Sequence, residues 1–238
     1  MMKLNDPDAF RTAEEADVIA GLLDLRGARV LELGCGAAWM TRLLAERFAP
    51  AHVVATEVDR VQHYKNLALG EALPNVEFRF GGAEAIDDPD GTYDAVFMFK
   101  SLHHVPAELM DRSMAEIRRV LKPGGLAYFS EPVYWGPFNE LMRQIHDEKL
   151  VREAAFQALE RAVEQGLFQA EAEVFFQSPG TYETWEIFED RFLKVTHTEL
   201  NIDAERYARV RGLFYRHLTP TGAHFLKPHR VDLLRKRG

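Results

Sequence analysis

The segment Val30-Leu31-Glu32-Leu33-Gly34-Cys35-Gly36-Ala37-Ala38-Trp39 constrains the fold more than any other part of the chain. Val30 to Leu33 read as a short buried strand, apolar but for Glu32. Gly34-Cys35-Gly36 then forms a tight turn into an amphipathic helix that opens near Met40. A strand that turns through glycines into a helix N-terminus presents backbone N–H groups and no obstructing side chain, so a polar or anionic ligand can lie against it. The next apolar run, His52 to Thr56, ends in Glu57. An acid at that place grips the ribose hydroxyl pair in nucleotide-binding βαβ units, so the pattern points to a nucleoside cofactor.

The turn discriminates between nucleosides. A dinucleotide site wants G-x-G-x-x-G, the last glycine letting helix and strand pack closely beside a pyrophosphate. Trp39 stands at that position, which disfavours nicotinamide redox chemistry. The stretch instead resembles the first motif of the class I S-adenosylmethionine (SAM)-dependent methyltransferases, acid-x-G-x-G-x-G. Glu32, Gly34 and Gly36 match it, and Ala38 stands for the last glycine. Glu57 matches the family's ribose-binding acid, with Val58 beside it. Phe80-Gly81-Gly82-Ala83-Glu84 sits where relatives carry G-D-A-E around adenine. Gly82 replaces the Asp, leaving that contact to the backbone of Ala83 or Glu84. Tyr93 to Lys100, then Leu102-His103-His104-Val105, resemble the family's fourth strand and the turn after it. Arg119 to Gly125 and Leu126 to Pro132 resemble its helix, turn and fifth strand, in the small-molecule, ubiquinone-biosynthesis-like branch.

The resemblance spans Arg26 to Pro132 and implies an α/β architecture: a Rossmann-like, doubly wound, seven-stranded, mostly parallel sheet with a helical cap inserted after the fifth strand. It implies SAM as cofactor, leaving as S-adenosylhomocysteine. The residues it places around that cofactor are Glu32, Gly34, Gly36, Ala38, Trp39, Glu57, Val58, Gly82, Ala83, Glu84 and Lys100. Trp39 can either pack as core or form a wall of the cleft.

Composition sets bounds. At 238 residues the chain suits one domain, 1–238, with an insertion. A net charge of -8 disfavours a nucleic-acid surface. The single cysteine, Cys35, excludes a disulfide framework and suits a reducing cytoplasm. No early run reads as a signal peptide or membrane span, so a cytoplasmic protein is expected, as monomer or homodimer.

Along the chain, Thr12 with Glu15 reads as a capping box, opening a helix with Ala16, Ile19, Ala20 and Leu23 on one face. Strand and helix alternate from Val30 to Phe129, the mark of a parallel sheet covered on both sides. Asn139 to Gln165 reads as a helical stretch broken near Asp147 or Lys149, and Ala172 to Gln177 as a strand. Tyr182 to Val195 and Asp203 to His217 read as helices, and Phe225 to Leu234 contains a last strand, antiparallel in the family. Residues 137–217 are expected to form a cap that supplies the substrate pocket.

His103 and His104 carry the chemistry the sequence can offer. They follow the fourth strand, whose C-terminal end borders the methyl donor in this fold, and imidazole accepts a proton near neutral pH. Lys100 would repel a divalent cation, and no His/Asp/Glu grouping has ligand spacing, so no metal is expected. Tyr134 and Trp135 follow the fifth strand, and Tyr182 and Trp185 open a later helix; these four are the expected substrate contacts. His197, His217, His224, Arg211 and Arg230 are available to an acidic substrate group. The expected reaction is methyl transfer to O, N or C of a small, aromatic or flat metabolite. The alternatives are a non-catalytic SAM-binding or scaffold protein of the same fold, and a methyltransferase acting on a protein.

Overall fold

Alternation along the central strands builds the core. β2 (Arg29–Leu33), β3 (His52–Glu57) and β5 (Tyr93–Phe99) are buried almost throughout, as strands covered on both faces must be. Successive side chains point to opposite faces of a sheet. Leu31, Leu33, Val96, Met98 and Phe129 accordingly join one apolar cluster, while Val30, Ala95, Phe97 and Tyr128 join another. The first cluster is closed by α4 (Ala107–Val120) and α6 (Lys149–Glu164), the second by α1 (Glu15–Leu22) and α2 (Trp39–Arg47).

The computed structural model describes residues 2–194 and 202–237. β2 pairs in parallel with β3 and β5, β3 with β4 (Val76–Phe80), and β5 with β6 (Leu121–Pro132). β9 (Gly222–Lys236) runs antiparallel between β6 and β7 (Phe168–Tyr182). Two short strands complete the sheet: β1 (Arg11–Thr12) on the outer edge of β7, and β8 (Leu218–Thr219) against β9. The order is β1-β7-β9-β6-β5-β2-β3-β4, so seven long strands carry two two-residue additions. α3 (Arg60–Leu67) follows β3, with Asp59 accepting from the N–H groups of Val61 and Gln62 as its N-cap.

The continuous cap expected over 137–217 divides. α5 (Gly136–Met142) ends before α6 begins, matching the break expected near Asp147, but α6 belongs to the sheet layer. Its Ala155, Ala158, Leu159 and Ala162 recur at helical spacing and pack into the first cluster. β7 is a full sheet strand. What stands apart from the sheet layer is α5 together with α7 (Trp185–Phe192) and α8 (Ala204–Tyr215). These share a third cluster of Leu141, Tyr182, Trp185, Phe188, Val210, Phe214 and Phe225. Thr184 and Asp203 cap α7 and α8 with their side chains, while Val195 lies outside the described residues.

The capping box also fails. Thr12 lies in β1, and Glu14 is the N-cap of α1 without a side-chain bond. Glu15 is buried instead, its carboxylate accepting from Tyr128 Oη (2.7 Å) and Ser130 Oγ (3.0 Å). Val18 rather than Ala20 faces the core. Two buried hydroxyls on β6 compete for the carboxylate more effectively than a solvated helix end.

The third cluster is separate from the sheet clusters, so it can open by itself. Phe188→Ala, at a fully buried site, should lower the opening free energy of α7 and α8 by about 3–5 kcal/mol. Hydrogen exchange should show protection lost over α7 and α8 with β2, β3 and β5 unchanged; equal loss in those strands would mean that the layer is not independent.

Candidate active site

The loops after β2, β3, β5 and β6 meet at one sheet edge, and buried carboxylates hold them there. The N–H groups of Gly34 and Cys35 donate to Thr56 O (3.0 and 2.9 Å), and Gly36 N–H donates to Glu57 Oε2 (2.7 Å). Ala38 N–H donates to Cys35 O. These four N–H groups are therefore engaged within the protein and hold the shape of the turn.

Gly34 has φ +71°, and a Cβ there would stand 2.8 Å from Ser101 Cβ. Ser101 itself donates from Oγ to Leu33 O (2.8 Å), pinning the loop after β5 to β2. Ala38, in place of the last glycine, adopts φ 60° while buried, a conformation that costs a non-glycine residue about 1–2 kcal/mol. Asn66 on α3 donates to Gly36 O (2.7 Å) and Cys35 Sγ (3.4 Å). Burial pushes the Cys35 thiol up, away from nucleophilic use.

Glu57 also accepts from the N–H groups of Val58 and Asp59, each at 2.9 Å. A carboxylate offers about four lone-pair directions, so capacity for a hydroxyl remains. Glu32 is pushed up to about 8 by burial, and its Oε2 has no partner. A cationic ligand group would answer that orphan, which fits the amine of an amino-acid-bearing nucleoside. A Cβ at Gly82 would lie 2.3 and 2.7 Å from the carboxylate oxygens of Glu84. The Glu84 side chain thus fills the space an Asp at 82 would enter. The Ala83 side chain packs into the first cluster. Trp39 is 78% exposed and Val58 59%, so Trp39 does not pack as core.

After β5 the chain makes a tight turn over Leu102–His104. Leu102 N–H donates to Glu131 Oε1 (3.0 Å), and His103 Nδ1–H donates to Glu131 Oε2. His103 and Glu131 are both buried. Burial works against a charged imidazole, but the charge and hydrogen bond of Glu131 outweigh it and raise His103 above its ordinary 6.5. Burial likewise opposes the Glu131 carboxylate. The His103 charge and bond outweigh that and hold it below the usual carboxylate range. With Nδ1 committed, Nε2 carries the lone pair, 3.9 Å from Glu148 Oε2. The His104 ring lies 4.1 Å from that of His103.

His103, His104 and Glu148 place ligating atoms within 4.8 Å of one another, a grouping that sequence spacing hides. Arg152 already holds Glu148 (2.6 Å).

A cavity of about 370 Å³ opens at this edge, lined in part by His103, His104, Phe138, Tyr182, Lys227 and His229. Lys100 lines it too, with φ 55°. Of the expected substrate contacts, Tyr182 lines the cavity, but Tyr134, Trp135 and Trp185 do not. Trp135 stacks on Phe10 at 4.9 Å, and Trp185 is buried with Nε1–H donating to Tyr207 Oη (3.1 Å). Aromatic spacing could not tell core from pocket. Nor do Arg211, His217, His224 and Arg230 line it, Arg230 being buried in a pair with Asp232 (2.6 Å); His197 lies outside the described residues. Glu131, Glu148, Arg152, Arg191, Lys227 and His229 had no assigned role in the sequence. Only Glu131, a lone acid in an apolar strand, gave a signal.

Residues 30–125 match the family described as "Methyltransferase domain". The sterol 24-C-methyltransferase ERG6A of Gibberella zeae is 31% identical over 146 residues, covering 59% of this chain and 34% of that protein. The fatty-acid O-methyltransferase of Mycolicibacterium smegmatis is 30% identical over 171 residues, covering 70% of this chain and 61% of that protein. The ubiquinone biosynthesis O-methyltransferase of Xanthomonas oryzae is 34% identical over 119 residues, covering 48% and 47%. The chain thus spans between 34% and 61% of these relatives' own lengths. Among solved structures, the YcgJ protein of Bacillus subtilis superposes with a TM-score of 0.67 at 17% identity, covering 94% of this chain and 98% of that one, which is a likeness of fold.

The two positive-φ positions of the turn should respond differently. Gly34→Ala meets Ser101 as well as unfavourable backbone, and should cost about 2 kcal/mol or more. Ala38→Gly relieves strain while loosening the unfolded chain, and should stay within about 1 kcal/mol of the parent. Urea denaturation measures both; equal effects would contradict this account of the turn.

Proposed function

We propose that this chain, matched over residues 30–125 by the methyltransferase-domain family, is a class I SAM-dependent methyltransferase that transfers a methyl group to an oxygen, nitrogen or carbon of a small molecule bound in the 370 Å³ cavity. The observation that carries the reading is His103. Its Nε2 lone pair is set by Glu131, and its ring lines a cavity beside Lys100 and Pro132, at the loops that follow β5 and β6. Glu57 would hold the ribose, Glu32 the amino-acid end, and Glu84 the neighbourhood of adenine. When bound, SAM supplies a methyl group already activated on a sulfonium. The chain's own work is then to align the acceptor, exclude water and take a proton where the acceptor carries one. His103 would accept that proton at Nε2, and the Glu131 carboxylate would stabilise the imidazolium formed.

Phe138, Tyr182 and Phe192 give the cavity an aromatic wall suited to an apolar or flat acceptor. The named activities of the relatives, on a sterol, a fatty acid and a ubiquinone precursor, support a small-molecule acceptor. A walled cavity is a poorer match to a protein acceptor, and the retained Gly34, Gly36 and Glu57 are a poorer match to a decayed site. No metal enters the reading, because Arg152 and Glu131 already engage Glu148 and His103. Residues 1–238 act as one domain, with α5, α7 and α8 as its lid.

Glu57→Ala should weaken SAM binding by about 1.5–3 kcal/mol in a calorimetric titration; unchanged affinity in a folded variant would overturn the cofactor site. His103→Ala should lower turnover about 10²–10⁴-fold with SAM affinity nearly unchanged; full activity would leave alignment alone as the mechanism.

The pH profile tests Glu131. His103 must be neutral to act, and its raised pKa in the unliganded protein puts the acid limb of kcat/KM above pH 6.5. Glu131→Gln removes the larger raising charge and leaves burial and Glu148, so the limb should move to lower pH while turnover falls. A limb that stays in place would remove Glu131 from the mechanism.

A further inference from the structure

Charge around the cavity is unbalanced. Lys100, Arg152, Arg191 and Lys227 line it, against one lining carboxylate among the described residues, Glu148. Glu148 is spent on Arg152, and Lys100 has Glu15 at 3.6 Å. Arg191 and Lys227 have no ion-pair partner among the described residues. Arg191 lies over the rings of Tyr182 (5.9 Å) and Phe192 (5.7 Å). Lys227 is half-buried and takes burial, Arg191 and Lys100 as its main surroundings, with Glu14 a weaker counterweight. Its stem crosses β7 over Gly180, where a Cβ would stand 2.9 Å from Lys227 Cε. The fold thus makes room for a cation that stability alone would expel.

Two residues that line the cavity also carry unpartnered polar atoms. Asn139 is 4% exposed; its Oδ1 accepts from Arg152 (3.0 Å) and its Nδ2 donor is unpartnered. His229 is 5% exposed, pairs through Nε2 with Ser178 Oγ (3.0 Å), and leaves Nδ1 unpartnered. Burial, with Lys100, Lys227 and Arg152 nearby, keeps its ring neutral. Ser178 and Nε2 can share either proton; in the tautomer where Ser178 donates, Nδ1–H is a second donor, the form an anion would select. Two cations without ion-pair partners among the described residues, the Asn139 donor and a neutral imidazole able to offer a second donor suit a cluster of anionic oxygens.

Resting on the methyltransferase reading above, we propose that the acceptor is an acid: an apolar or aromatic body against Phe138 and Phe192, with a carboxylate or phosphate group held by Lys227, Arg191, Asn139 and His229. Arg191 stands on α7, so the anion would also tie the lid to β9.

The test is calorimetric titration of the whole protein, with and without saturating S-adenosylhomocysteine, using phenylacetate, phenyl phosphate and the neutral 2-phenylethanol. At least one anion should bind about 10–100-fold more tightly than 2-phenylethanol. The tighter of the two names the carboxylate or the phosphate class. Lys227→Met and Arg191→Gln should each remove most of that preference, and Lys227→Arg should keep it. Lys227→Met should also leave the unliganded protein at least as heat-stable as the parent, which a merely structural lysine would not. Equal affinity for all three probes, no binding of any, or anion binding indifferent to both variants would overturn the proposal. Anion binding in a protein that does not bind SAM or its product would instead overturn the methyltransferase reading and leave the anion site standing.

Discussion

The buried carboxylate of Glu131 is the contact on which the active edge depends. Taking a carboxylate out of water is costly unless charge and hydrogen bonds replace the lost hydration. Here Leu102 N–H and His103 Nδ1–H replace it, with Arg230 close by. The bond therefore decides more than one histidine rotamer. It fixes the turn after β5 onto β6, while Ser101 fixes the same turn to β2 and Lys100 N–H donates to Ser130 O (2.7 Å). Glu57 does the corresponding work one strand over, on the glycine turn. Loops without regular structure are thus held to rigid strands by acceptors inside the sheet layer, which is how a site at the strands' C-terminal ends keeps its geometry.

The other wall of the cavity is built differently. α5, α7 and α8 make their own aromatic cluster, apart from the two that sandwich the sheet. Under the proposed function, a rigid edge facing this layer would let an acceptor enter and water leave. The cavity also carries unpartnered polar atoms and cations without ion-pair partners among the described residues, Asn139 and Arg191 from the helices and Lys227 and His229 from β9. Such groups cost stability in the empty protein and return it when a ligand pairs with them, the usual trade between stability and function.

Features set by local pattern were legible in the sequence. The strand, glycine turn and Glu57 follow from a short apolar run, the freedom of glycine and the register of an acid at a strand end. The helix break between Met142 and Lys149 was equally readable, while the antiparallel direction of the last strand came from the family resemblance. What failed required knowing what packs against what. β7 belongs to the sheet although its alternation over Gln169 to Glu173 gives small and charged residues, so it could be mistaken for part of a cap. Tyr182 and Trp185 sit three residues apart in one aromatic pattern, yet one lines the cavity and the other is sealed in the cluster beneath it. Lys227, Arg191 and His229 come from different elements and share no spacing. Glu131 could have been noticed, since an acid inside Leu126-Ala127-Tyr128-Phe129-Ser130 and Pro132 has to find a donor.

Nuclear magnetic resonance of the ¹⁵N-labelled imidazoles, followed against pH in the whole protein, tests the His103–Glu131 clamp most directly. The account predicts that His103 holds its proton on Nδ1, titrates at Nε2, and does so above pH 6.5. A His103 ring protonated on Nε2 when neutral, or titrating below 6.5, would contradict it.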